Sequence, residues 1–527
     1  MEVISKYFYS AITLLIIILI ALPVVFILKS SLEIDFSNIT YFLNYKLLDY
    51  TKNTLKLSLF TCFLSCIFGV IPAYIISMYK VKYSKIFDLL LIMPLSIPCY
   101  IMSFTYADFF GYQGTFFNFL KKKFEINFMF DVLTLEFLSF FFALSLFPYV
   151  YVTSRISFKL IGKKYFELSK ILAFTKYENL IKVTIPLSLT GIYSGLLLII
   201  MEVFNEYGAV HYFGIETFSN GIFKYWFSLD NKNIAFFLSF VLILIIVLFL
   251  FINVWIKKKY KRISYMPKKQ ISDENLKKIR PSLYIFLIIP IFFGFVFPLI
   301  LVIKNSILYF GNYNLLEILI LSKNTLFLAL ISSLIIVLFS VTILNTRFLK
   351  KSNLVNTLKL FLTSGYAIPG AIIGLSIMTA LSTNEMLTRL FIGSFTILIY
   401  SYVFRFISVA FFPLKSSFDR QPEIFEERAK SLNMSYINRM IKIHLPLSKF
   451  AIIYAIILVF IDVVKELPLT LILRPFNFET LATQTYQYAN EEMLGISSIY
   501  SLILILICVI LLFFSQGILN KNEVFRS

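Results

Sequence analysis

Charged residues are scarce in this chain: 15% of its 527 residues are Asp, Glu, Lys or Arg, where soluble domains carry about 25%. Together with 59% hydrophobic residues and 60 Phe, that shortage excludes a soluble enzyme and a disordered scaffold. So much apolar surface exceeds what one buried core can take, and the surplus must face lipid. Histidine is nearly absent, with His211 and His444 alone. Neither has a partner at metal-ligand or triad spacing, so neither is given a chemical role, and no nucleophile–base arrangement is found. The four cysteines, Cys62, Cys66, Cys99 and Cys508, all lie inside apolar runs, which excludes a disulfide-stapled secreted module. Cys62 and Cys66, on one helical face, read as small core residues, with a disulfide or metal pair as the alternative. A G-x-x-x-x-G-K-[ST] phosphate loop is also missing. Gly365 and Gly370 have its glycine spacing but are followed by Ala371 and Ile372, which points to helix packing or to a break at Pro369.

What the chain does have is long apolar runs. A helix needs about 20 apolar residues to cross the hydrocarbon, and about twelve such stretches occur, near 8–28, 53–78, 86–110, 132–154, 187–209, 234–256, 282–303, 324–345, 354–382, 390–413, 447–472 and 498–519. The runs are continuous rather than alternating, which excludes barrel strands. The first, followed directly by Lys29 and Ser30, reads as a retained membrane helix rather than a cleaved leader. The net charge of +20 falls in short basic runs between apolar stretches, a pattern that orients helices and meets anionic headgroups; no nucleic-acid groove can be assembled from them. With both termini cytoplasmic, most Lys and Arg lie inside, on 80–85, 155–182, 257–280, 347–351 and 415–442. Lys121, Lys122 and Lys123 are the main exception.

The chain repeats itself. Lys52-Asn53-Thr54-Leu55 recurs as Lys323-Asn324-Thr325-Leu326, and Ile97-Pro98 as Ile368-Pro369, both 271 residues on. Ile185-Pro186-Leu187-Ser188 matches Leu445-Pro446-Leu447-Ser448, 260 residues on; the same offset pairs Glu202 with Asp462 and Glu206 with Glu466. Glu216-Thr217 resembles Glu479-Thr480. The fold expected is all-α and integral to the membrane, with about 12 transmembrane helices in two homologous six-helix modules. These are residues 1–256 and 282–527, joined by a basic cytoplasmic linker at 257–281.

Each module has one long inside loop, at about 155–186 and 414–446. The two contain FELSKILAFTKYENLIKVTIPLS and EERAKSLNMSYINRMIKIHLPLS, and each places an acid ahead of a Pro with a helical pattern between. Asn433 suits a helix stop. A short amphipathic helix of this kind docks into a partner's groove or simply connects two spans.

These loops resemble the E-A-A-x3-G-x9-I-x-L-P signature of permease subunits of binding-protein-dependent ABC importers. Glu427-Arg428-Ala429, Asn433, Ile443 and Leu445-Pro446 stand for it in the second module. Glu167-Leu168-Ser169, Ala173, Val183 and Ile185-Pro186 stand for it in the first. Both depart at the glycine; Asn adopts a left-handed turn readily and Ala poorly. Two fused modules resemble the ferric-iron and thiamine branch, and 201–227 and 465–489 look most like ferric-iron permeases. The resemblance implies coupling of Glu167, Ser169, Ala173, Pro186, Glu427, Ala429, Asn433 and Pro446 to a cytoplasmic ATPase homodimer. It also implies ATP and Mg bound by that partner rather than by this chain, an extracytoplasmic binding protein, and a place in a bacterial inner membrane. Thiamine or another small solute is the alternative substrate. An ion-gradient carrier is the alternative class, although such a carrier has no use for paired inside motifs.

Glu202 and Glu206, four apart and expected on one helical face, are matched by Asp462 and Glu466. Charges in a span are costly and are functional candidates by default. They either line the translocation route, where hard oxygens suit a hard cation, or pair with cations at the interface. No resident metal site is assigned. Arg405 reads as a snorkelling charge near the inner end of its span, and Pro98 and Pro369 as kinks or helix breaks.

Overall fold

The long apolar runs that the structure describes become helices, because that is the way a segment in hydrocarbon pairs its own backbone groups. The computed structural model describes residues 40–112, 114–124, 130–160, 174–260, 277–345 and 365–524, with scattered residues between 18 and 30. Its main helices are α1 (Leu47–Met78), α2 (Cys99–Phe110), α3 (Leu135–Leu160), α4 (Ile185–Asn205), α5 (Gly208–Tyr212), α6 (Phe218–Phe223), α7 (Lys232–Tyr260), α8 (Pro281–Leu308), α9 (Leu315–Asn345), α10 (Gly370–Ser382), α11 (Phe395–Asp419), α12 (Glu423–Ser431), α13 (Lys449–Lys465), α14 (Pro468–Leu473), α15 (Leu481–Asn490) and α16 (Leu494–Val524). The strand content among the described residues is one two-residue parallel pairing, Tyr79–Lys80 with Lys277–Lys278. The fold is all-α and multi-pass.

Among the described residues eight helices are long and apolar enough to cross a bilayer, or ten when two bent pairs each count as one span. The bent pairs are Ser84–Ser96 with Cys99–Phe124, at 86°, and Ile437–Leu447 with Lys449–Lys465, at 75°. The stretch expected at 354–382 is described only from residue 365, where α10 is a short apolar helix of Gly370–Ser382. Most of the first expected span, 8–28, and linker residues 261–276 lie outside the described residues. Leu244, Val247, Leu248, Phe251 and Val254 along α7 are exposed, the lipid-facing surplus that composition required.

The described chain forms two compact units. One contains Asn314–Gln484 and Leu506–Ser527; the other contains Asp35–Tyr313 and Thr485–Ile505. The division departs from the sequence halves, because α8, the first span after the linker, belongs to the second of these units. There Leu287 and Ile291 are buried in one apolar cluster with Ala73, Leu91, Phe147, Tyr151 and Phe158. Gly294 makes that approach possible: a Cβ there would stand 2.9 Å from the Leu144 carbonyl oxygen. Tyr106 donates to the Phe293 carbonyl, and Asn305 Nδ2 donates to Asp108 Oδ2 at 2.8 Å.

Gly365 and Gly370 follow the packing and break reading. A Cβ on Gly365 would collide with the Phe404 carbonyl, and Gly370 begins α10 directly after Pro369. All four cysteines are free, and Cys62, Cys99 and Cys508 are buried.

Candidate functional site

The elbow of the second module is built from local signals. α12 begins just after Pro422 and ends at Ser431; two residues on, Asn433 has a φ of +50°, in the left-handed region. The Met434 N–H then reaches back to the Ala429 carbonyl at 3.1 Å, closing the helix end as this turn requires. Ala429 is buried, while Glu427 and Asn433 are exposed. A π-helical turn, Met440–His444, follows. Pro446 begins the next helical piece, where its missing N–H costs nothing.

A buried polar brace holds this elbow. Glu426 Oε1 forms an ion pair with Arg439, 3.3 Å from its Nε, and the other carboxylate oxygen lies 3.1 Å from His444 Nε2. His444 Nδ1 is 2.5 Å from Gln421 Oε1, and Gln421 Nε2 donates to the His444 carbonyl at 3.1 Å and to Ser448 Oγ at 2.8 Å. Arg439 Nη1 donates to the Met434 carbonyl at 2.8 Å. Sequence reading gave His444 no role and passed over Glu426 and Arg439. Glu426 stands 13 positions from Arg439 and 18 from His444, and His444 stands 23 from Gln421, and no short motif marks them.

In the first module Glu167, Ser169 and Ala173 lie outside the described residues. Beyond them Thr175 and Glu178 cap each other: the Thr175 N–H donates to Glu178 Oε2 at 3.0 Å, and the Glu178 N–H to Thr175 Oγ1 at 3.2 Å. The Lys182 ammonium first, then the Thr175 donors, hold the Glu178 carboxyl down at about 2. The π-helical turn Leu180–Thr184 matches Met440–His444, and Pro186 begins α4 as Pro446 begins its helical piece.

At the far ends of α4 and α13 the modules share a second construction. Both helices stop before a glutamate with extended backbone, Glu206 (ψ 121°) and Glu466 (ψ 120°). Each carboxylate accepts the N–H three residues on, Ala209 or Leu469, at 3.2 Å, and so caps the short helix that follows. The expectation that Glu202 and Glu206 share a helical face, as do Asp462 and Glu466, is therefore corrected. The helix ends at Asn205 and Lys465, and the second carboxylate of each pair belongs to the break. Asp462 instead pairs with Lys465 at 3.7 Å.

Arg405 does not snorkel. It sits mid-way along α11, 2% exposed, with Nε 3.2 Å from Glu466 Oε2 and Nη1 donating to the Ile368 carbonyl at 3.1 Å. That carbonyl precedes the Pro369 break. The position 260 residues earlier is Ser145, which donates to the matching Ile97 carbonyl at 2.7 Å.

The repeated Asn-Thr pair now has a purpose. Asn53 Nδ2 donates to the Glu216 carbonyl at 3.2 Å, and Thr54 Oγ1 accepts the Phe218 N–H at 3.1 Å. Asn324 and Thr325 repeat this on Glu479 and Leu481, at 3.1 and 2.9 Å. Each pair satisfies the backbone at the mouth of a returning helix, α6 or α15, where no ladder does so. Asn324→Ala removes one such bond, worth about 0.5–1.5 kcal/mol. Amide exchange at Glu479–Leu481 is expected to quicken a few-fold to about tenfold, with the distant amides of α11 unchanged.

Within the unit containing Asp35–Tyr313 and Thr485–Ile505, Tyr486 Oη lies 3.2 Å from Tyr207 Oη and 3.1 Å from His211 Nδ1. Among the described residues no group of three His, Cys, Asp or Glu side chains could hold a metal ion.

Long apolar helices, broken at matched carboxylates, with a braced elbow between two of them, define a multi-pass membrane protein. Residues 65–262 match the family of binding-protein-dependent transport system inner membrane components, a family of membrane permease subunits. Over 515 residues, 94% of this chain and 95% of the relative, the chain is 22% identical to the Fe(3+)-transport system permease protein FbpB 2 of Haemophilus influenzae. It is also 32% identical over 161 residues to the probable transport system permease protein NifC of Clostridium pasteurianum, and 25% identical over 159 residues to the sulfate transport system permease protein CysT of Escherichia coli. Those matches cover 30% and 29% of this chain, and 55% and 56% of the relatives. The chain thus resembles permeases of the binding-protein-dependent type.

Proposed function

We propose that the chain is the transmembrane permease subunit of an ATP-driven importer. Its two modules, 1–256 and 282–527, carry a ferric ion inward from an extracytoplasmic binding protein. A separate cytoplasmic ATPase homodimer holds ATP and Mg and grips the elbows through Glu167, Ser169, Ala173 and Pro186, and through Glu427, Ala429, Asn433 and Pro446. Both termini face the cytoplasm of a bacterial inner membrane. ATP binding closes the motor, the elbows follow, and the cavity changes its open side because partners bind the two states unequally.

The second elbow carries this reading. Glu427 is exposed on a helix whose own orientation is fixed by the buried Glu426–Arg439–His444 brace, and a mere connector between spans has no need of such fixing. The near full-length similarity to a ferric permease supports iron over sulfate or thiamine. Of the four intramembrane acids, Glu206 and Glu466 shape the breaks, and Glu202 and Asp462 are the ones we assign to the route.

Vesicles containing this chain, the ATPase and the binding protein are expected to take up ferric iron only with ATP. Full uptake by vesicles bearing the chain alone would overturn the importer reading in favour of a carrier. ATP-driven uptake of sulfate or thiamine, but not iron, would overturn only the substrate.

A further inference from the structure

Tyr207, His211 and Tyr486 are used by nothing described above. Tyr207 follows the Glu206 break and His211 lies on α5, while Tyr486 lies on α15, the helix anchored by Thr325. Tyr207 and Tyr486 are each 8% exposed. The Tyr207 ring is fixed by stacking on Phe223, with centroids 3.7 Å apart.

We propose that these three side chains form a transit site for a ferric ion. The inference rests on the iron reading above and deepens it. Ligands at neighbouring corners of an octahedron stand about 2.9 Å apart when metal–ligand bonds are ~2.0–2.1 Å, as for a small hard cation. The separations here, 3.2 Å between the phenol oxygens and 3.1 Å from Tyr486 Oη to His211 Nδ1, are close to that. Phenolate oxygen is a hard donor and imidazole suits iron.

A neutral imidazole has one ring nitrogen with a lone pair to give. Each phenol gives up its proton when iron binds. Two O–H bonds are exchanged for two Fe–O bonds and two protons leave to water; no electron moves. Binding therefore strengthens as pH rises. Nearby, Asp108 and Glu492 act on Tyr212, which burial and those two carboxylates push up to about 12. Their negative charge gives a trivalent cation an attractive approach.

The test uses the full chain assembled with its ATPase in lipid nanodiscs, with ferric nitrilotriacetate as probe. Phenolate bound to iron absorbs in the visible. The wild type is expected to develop this band. It should fall by about half in Tyr207→Phe and in Tyr486→Phe, vanish in the double variant, and stay unchanged in Tyr112→Phe at an exposed phenol. His211→Gln should weaken binding at least as much as loss of an outer-shell partner does, about 10–100-fold. A wild type that imports ferric iron but shows no band, or a double variant that keeps it, overturns the site and leaves the iron reading standing; the trio is then a hydrogen-bonded latch. A wild type that imports no ferric iron removes both.

Discussion

Arg405→Met is expected to collapse the yield of monodisperse protein and to lower its melting midpoint sharply. Arg405 and Glu466 are 3% and 5% exposed at their side chains, 3.2 Å apart. Removing the guanidinium leaves a buried carboxylate without its cation, which costs about 3–5 kcal/mol, a large share of the ~5–15 kcal/mol that typically separates folded from unfolded protein. It also strips the Ile368 carbonyl of its donor at the Pro369 break. Glu466→Gln should be milder, because the amide oxygen can still accept the Leu469 N–H. The double variant should recover much of the loss, since no charge is then stranded. Ser145 at the matching place in the first module serves its carbonyl without a cation, so the carbonyl alone does not require Arg. If Arg405→Met melts with the wild type, the pair has no structural weight and Glu466 returns to the pathway acids.

Arg439→Met should uncouple transport without unfolding the membrane part. Arg439 is 5% exposed and ties Glu426 on α12 to the Met434 carbonyl beyond it. Without it α12 keeps only the His444 side of its brace. On the importer reading, binding-protein-stimulated ATP hydrolysis should fall about tenfold or more, because the motor can no longer push a helix that swings. Amide exchange should quicken across residues 424–434 while α13 stays protected. Glu427→Ala separates the two roles. Its side chain is exposed, so exchange should not change, yet recovery of the ATPase with the tagged chain should drop. Normal stimulation by Arg439→Met would show that the brace does not transmit force.

Much of this architecture was legible because it is local. Continuous apolar runs specify spans, since a bilayer accepts little else. Asn433 announced its turn because the left-handed conformation is a property of one residue and its neighbours. The matched Ile-Pro pairs marked the breaks before α2 and α10 because Pro removes a donor wherever it sits. The Lys-Asn-Thr-Leu repeat was visible as identity but silent about purpose. Its partners stand 163 residues away in the first module and 155 in the second.

The clearest departure concerns the acids. Helical spacing put Glu202 and Glu206 on one face, and α4 stops one residue too soon for that. The stop is not encoded in α4 alone. It depends on the Glu206 carboxylate finding the Ala209 N–H, and on Ser219 Oγ donating to the Glu206 carbonyl at 2.7 Å from α6.

By itself, then, the sequence determined that the chain lives in lipid, that it repeats, and where its helices begin and turn, for these depend on transfer free energy and on backbone chemistry within a few residues. Only the tertiary structure decided which buried charges neutralise one another, which side chains take up the backbone groups left over at each break, and that α8 packs among the helices before it. A low-dielectric interior makes every unpaired polar group expensive. The partner that relieves it is whichever side chain packing brings near, however distant along the chain.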